Sequence, residues 1–148
     1  MSPTTNPTAA PATSPTPAER GQSQTIDLVE KIGRIEGHWQ PRVVAEMNDY
    51  QFKVVKVLGD FPWHLHAKTD ETFLVLDGEL HIEHRASPDG ETSAIVLRAG
   101  QMAVVPKGVE HRPCADNEVK LLLIEPRGVV NTGDGAKGER TVDNDQWV

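Results

Sequence analysis

Two imidazoles one residue apart, with carboxylates close behind, stand in Trp63-His64-Leu65-His66-Ala67-Lys68-Thr69-Asp70-Glu71. On an extended strand, residues two apart share a face, so His64 and His66 point the same way with Cα atoms about 7 Å apart, a span one ion bridges. Trp63 and Leu65 then face the other side. The turn-like Ala67-Lys68-Thr69-Asp70 reverses the chain and returns a carboxylate beside the imidazoles. Glu71 is the preferred donor, because it shares parity with Phe73 and Val75 in the apolar run that follows and has the longer reach. Asp70 sits in the turn, where an Asp commonly accepts from backbone N–H groups.

A third imidazole lies downstream, in GQMAVVPKGVEHRP. There an apolar strand ends at Pro106, a Pro-x-Gly turn follows, and His111 opens the next strand. Three neutral imidazoles and one carboxylate suit a divalent transition ion such as iron, manganese, nickel, copper or zinc, and leave positions for water, substrate or oxygen. A closed structural site is more often built from thiolates. The chain has a single cysteine, Cys114.

The elements that must position these groups follow from period and punctuation. The opening MSPTTNPTAAPATSPTPAER alternates Pro with Thr, Ser and Ala and has nothing to bury, so residues 1–24 read as a disordered tail. From Thr25 the apolar residues Leu28, Ile32, Ile35 and Trp39 recur at steps of four, three and four, which predicts one short amphipathic helix ending near Gly37. After Pro41 the period drops toward two in RVVAEM, YQFKVVKVL, TFLVL, ELHIEHR, SAIVLR, MAVV and VKLLLIE, and β-branched residues take over. Turn chemistry at Asn48-Asp49, Gly59-Asp60, Asp77-Gly78, Ser87–Gly90, Ala99-Gly100, Pro106–Gly108 and Asp116-Asn117 separates them. Many short strands at near-regular spacing give an all-β antiparallel sandwich or barrel. TFLVL and VKLLLIE are apolar on both faces, so the helix, a second copy of the chain, or both must cover part of the outside. The domain is expected over residues 25–135, with 136–148 a polar C-terminal tail.

The 148 residues carry a formal net charge of -7, which argues against nucleic acid or an anionic membrane as partner. No basic n-region, apolar h-region or membrane-length apolar stretch is present. With one cysteine there is no internal disulfide, and a cytoplasmic location is the expectation.

Gly59, His64, His66, Glu71 and Gly78 resemble the first motif of the cupin superfamily, G-x5-H-x-H-x3,4-E-x6-G, and Gly100, Pro106, Gly108 and His111 resemble the second, G-x5-P-x-G-x2-H-x3-N. The resemblance spans about residues 42 to 126. Gly59 stands one residue closer to His64 than the motif has it, and Ala115 stands where the family usually has Asn; neither position is a ligand. The resemblance implies a small single-domain jelly-roll β-barrel with the ion inside one mouth, held by His64, His66, Glu71 and His111. It also puts iron(II) first among the metals and dioxygenase-type oxygen chemistry first among the reactions, on a small enolisable or aromatic metabolite.

Two other readings stand beside that one. A non-redox isomerase, epimerase or lyase needs a separate proton carrier, for which Glu110, Lys53 and His84 are candidates. A non-catalytic metal- or ligand-binding module usually accompanies an output domain, and no helix-turn-helix signal is present. Phe73 and Val75 are expected as pocket walls, since they share the inward face with Glu71. His38 and His81 are assigned to the surface or a helix end, and Cys114 to packing. Lys53 and Lys56 are read as rim lysines with their ammonium groups in water. A homodimer acting on a small molecule is expected.

Overall fold

The computed structural model describes residues 12–14, 22–134 and 137–148. Most of the stretch expected to be disordered, residues 1–24, therefore lies outside the described residues. Among the described residues, one short helix, α1 (Leu28–Gly33), precedes seven strands: β1 (Arg42–Met47), β2 (Tyr50–Asp60), β3 (Glu71–Asp77), β4 (Glu79–Arg85), β5 (Thr92–Arg98), β6 (Met102–Val105) and β7 (Glu110–Pro126). All pairings between these strands are antiparallel.

β7 organises the barrel. Its second half lies between β2 and β3 in a sheet of order β1-β2-β7-β3-β6, while its first half pairs with β4, which carries β5. The Asp116-Asn117 break expected from sequence is instead a bulge inside this one strand: pairing jumps from Gly59↔Ala115 to Val57↔Val119, and Asp116, Asn117 and Glu118 are left exposed. Such a bulge bends a strand and lets it serve two sheets. The inward faces of both sheets supply Val55, Val57, Phe73, Val75, Leu80, Ile82, Val119 and Leu121 to one core.

The helix is shorter than the apolar spacing implies. Asp27 caps it by accepting from the Glu30 backbone N–H at 3.0 Å, and it stops at Gly33. Glycine is the weakest helix former but proline, and the chain turns there. Ile32 and Ile35 still pack on the outer faces of Val44, Val54 and Leu122, with Val148 beside them. The second apolar face is thus covered from within the chain. Trp39, the last residue of the apolar spacing, lies beyond the helix in the core, its indole N–H donating to the Leu58 carbonyl at 2.9 Å.

Residues 137–148, in the stretch expected as a polar tail, run back along the barrel. Val43 N–H donates to Gln146 O at 2.7 Å, Val148 N–H to Val43 O at 3.2 Å, and Lys31 Nζ to Val148 O at 2.9 Å. Among the described residues, no helix is long and apolar enough to cross a membrane.

Candidate metal centre

His64 and His111 are joined through their backbones: each N–H donates to the other's carbonyl, at 3.0 and 2.9 Å. That bridge fixes the segment before β3 against the start of β7. Gly133 supports the same segment from outside, with φ of 74° and its α-carbon so close that a Cβ would lie 2.3 Å from the Leu65 carbonyl oxygen. Asp134 completes the support by donating its N–H to Leu65 O and accepting from Ala67 N–H at 2.7 Å. The Gly-rich run beyond β7 therefore holds the His-x-His segment in place.

The four side chains singled out by spacing converge. One donor atom from each of His64, His66, Glu71 and His111 lies within 4.8 Å of the others, and all four residues are buried. His64 Nδ1 lies 2.9 Å from the Pro62 carbonyl and His111 Nδ1 2.8 Å from that of Val109. A carbonyl only accepts, so each Nδ1 carries the proton and each Nε2 presents its lone pair. His66 Nε2, His111 Nε2 and Glu71 Oε2 are buried without a hydrogen-bond partner. His66 Nε2 and Glu71 Oε2 are 2.9 Å apart yet lack hydrogen-bond geometry. Orphaned buried atoms are costly, and a cation among them satisfies all at once. The donor set fits a divalent transition ion.

The electrostatics agree. Burial, and after it the neighbouring His111, lowers His64 to about 4, so its ring is neutral at pH 7. Burial also opposes charge on His66, but the close approach of the Glu71 carboxylate, 2.9 Å away, outweighs it and raises that imidazole. For Glu71 burial pushes upward, and His111 and His66 together overcome it and hold the carboxyl at about 2. A cation beside the anionic Glu71 would supply the positive charge that a proton on His66 supplies without it, and its binding would release that proton.

Asp70 takes no part; its Oδ1 accepts from the Lys107 N–H at 2.8 Å and ties the two loops that carry the donors. His81 pairs with Glu79 and His38 with Glu118 on the surface. His84 is cross-strand neighbour of His111 but contributes no donor to the cluster. Cys114 is a buried thiol pushed up to about 12 by burial and by the nearby Glu83 and Asp60.

A cavity of about 40 Å³ adjoins the cluster, lined by Trp39, Phe61, Phe73, Leu121, His64, Glu71 and Glu125 among others. Phe73, expected as a pocket wall, lies on this cavity, whereas Val75, two residues further along β3, packs in the core and does not line it. Lys53 departs from its expected rim position. It is 4% exposed, with Nζ 2.8 Å from Glu125 Oε1, because it shares the inward face of β2 with Gln51, Val55 and Val57. Glu125 was not expected at all. Its signal was parity, since it continues the inward stripe Val119-Leu121-Leu123, but a Glu closing a strand reads like a boundary. Burial, then the charge of Glu71, raises the Glu125 carboxyl.

A family model described as the cupin domain matches residues 53–125. A cupin-2 domain containing protein from Shewanella frigidimarina NCIMB 400 is 53% identical, covering 69% of this chain and 94% of its own, with a TM-score of 0.63. The chain belongs to the cupin family. The uncharacterised protein YdbB of Bacillus subtilis is 39% identical over 69 residues, which span 47% of this cupin and only 57% of YdbB. A hydroquinone 1,2-dioxygenase from Sphingomonas sp. TTNP3 with 4-hydroxybenzoate bound shares the fold at 20% identity over 74% of this chain and 77% of its own, with a TM-score of 0.57.

Proposed function

We propose that this cupin is a mononuclear metal-dependent enzyme acting on a small organic molecule, with His64, His66, Glu71 and His111 holding the ion and iron(II)-dependent dioxygenase-type chemistry the first reaction. The observation that carries the reading is the convergence of buried, partnerless Nε2 and Oε2 atoms on one point. Bound there, a divalent ion supplies Lewis acidity and, for iron, the one-electron chemistry that dioxygen requires. The chain's own contribution is orientation and dryness. Pro62 and Val109 carbonyls set the ring tautomers, Glu71 gives the single negative charge, and Phe61 and Phe73 keep water from the cavity side.

One observation favours a second, non-redox reading as isomerase or lyase: Glu125 puts a further carboxyl in the same cavity, where a proton carrier is needed. Metal analysis of protein purified without a histidine tag, followed by oxygen-uptake assays against metabolite mixtures, separates the two. Stoichiometric iron with substrate-dependent oxygen uptake supports the first; a bound metal with solvent-deuterium exchange into substrate and no oxygen uptake supports the second. Protein that takes up no transition ion removes both.

The same reading includes a cytoplasmic homodimer. Ile95 and Val96 on β5 and Met102 and Val104 on β6 are exposed apolar residues on strands at the sheet edges, surface that a second copy would bury.

A further inference from the structure

The Lys53–Glu125 pair is buried beside a site that does not use it. Lys53 is 4% and Glu125 2% exposed. Taking two charges into a barrel costs more than their attraction usually returns, and a pair of apolar side chains fills such space at no loss of stability. The pair is also incomplete: Glu125 Oε1 receives Lys53 Nζ, whereas Oε2 is buried with no partner. Glu125 lines the cavity that His64 and Glu71 also line, so the unpartnered carboxyl and the metal donors share one space. Most of the remaining wall is apolar, and its two other polar side chains are already engaged: the Trp39 indole N–H by the Leu58 carbonyl, and the Asn131 amide by the Arg140 carbonyl and the Val142 N–H.

We propose that Glu125 anchors the substrate by accepting a hydrogen bond from its hydroxyl group, that Lys53 is the positioning residue that orients this carboxylate, and that the substrate is a small aliphatic molecule bearing a metal-binding oxygen and a separate hydroxyl. The inference rests on the metal-site reading above. Size argues for the aliphatic body. The cavity is about 40 Å³, enough for a few atoms, whereas about 150 Å³ is what admits a benzene ring. Charge argues for a neutral molecule: an ion would engage Glu71, Lys53 already compensates Glu125, and among the described residues the lining holds no free cation to receive an anion.

The test uses the full chain loaded with cobalt(II), whose visible absorption reports ligands entering the site. Hydroxyacetone is compared with butanone, which replaces the hydroxyl by a methyl of similar size, and with 2-hydroxyacetophenone, which keeps both oxygens on an aromatic body. Hydroxyacetone is expected to bind about tenfold more tightly than butanone, the scale of one hydrogen bond to a charged acceptor. It is also expected to bind more tightly than the aromatic ketone. In Lys53→Met/Glu125→Leu, which removes both charges together and so retains the fold, the preference for hydroxyacetone over butanone should vanish while cobalt stoichiometry is unchanged. Glu125→Gln, which still offers Lys53 an oxygen but exchanges the charged acceptor for a neutral amide N–H donor, should reduce that preference. A preference that survives both variants, an aromatic ketone that binds as well as hydroxyacetone, or cobalt lost with Glu125 overturns the inference alone. Absence of cobalt uptake by the unaltered protein overturns the metal reading, and this inference with it.

Discussion

His111 is held by its backbone to His64, by its Nδ1–H to Val109, and is 1% exposed, so its Nε2 has almost no freedom to aim elsewhere. We expect His64→Ala, His66→Ala and His111→Ala each to lose most of the bound metal in folded protein, and His81→Ala, whose ring meets only Glu79 at the surface, to keep it. Metal analysis beside circular dichroism makes the comparison; full metal in folded His111→Ala would remove that residue from the donor set. Glu71→Gln should weaken binding by deleting the anion, whereas Asp70→Asn keeps an oxygen for the Lys107 N–H and should retain the ion at a stability cost of about 1 kcal/mol or less. Cys114 gives a pH-based prediction. Its thiol is raised to about 12, so at pH 8 almost none is thiolate, the form that reacts. Iodoacetamide should leave it unmodified in native protein and label it quickly in denaturant; rapid native labelling would contradict its burial.

Among the elements, the loop after β7 is the least legible from its composition and has the most direct hold on the donors. Gly133→Ala should both destabilise the fold and lower metal affinity, because a Cβ meets the Leu65 backbone at 2.3 Å and the backbone there has φ of 74°. Gly138→Ala, with nothing within 4 Å, is the matched control. Equal metal affinity in the two variants would show that Gly133 does not support the His-x-His segment. The helix makes a separate contribution. Ile32 is 1% exposed against Val44, Val54 and Leu122, and Ile32→Ala should cost about 2–5 kcal/mol in urea unfolding while leaving metal stoichiometry intact, since α1 lies on the outer face of the barrel.

For the whole molecule, the helix and Val148 cover the outer face of one sheet, while β5 and β6 leave Ile95, Val96, Met102 and Val104 exposed. Met102 is 57% and Val104 51% exposed on a strand that pairs on one side with β3. Light scattering should give twice the chain mass for the unaltered protein and the single mass for Met102→Lys/Val104→Glu, with the far-ultraviolet spectrum unchanged. A unaltered protein that is monomeric across a wide concentration range would rule the dimer out.

What the sequence by itself determined was local: strands from period two, turns from Gly, Pro, Asn and Asp, and four candidate donors, which do converge, from their spacing along two strand–turn–strand segments. These survive in three dimensions because backbone parity decides which face a side chain takes, and a turn decides only which neighbours are adjacent in the chain. The helix end at Gly33, the single bent β7, the inward Lys53, the partnered Glu125 and the return of residues 137–148 were decided by tertiary structure. Each depends on what stands opposite. A strand apolar on both faces does not say which lysine goes inside until a carboxylate on another strand, 72 residues away, meets it in the barrel.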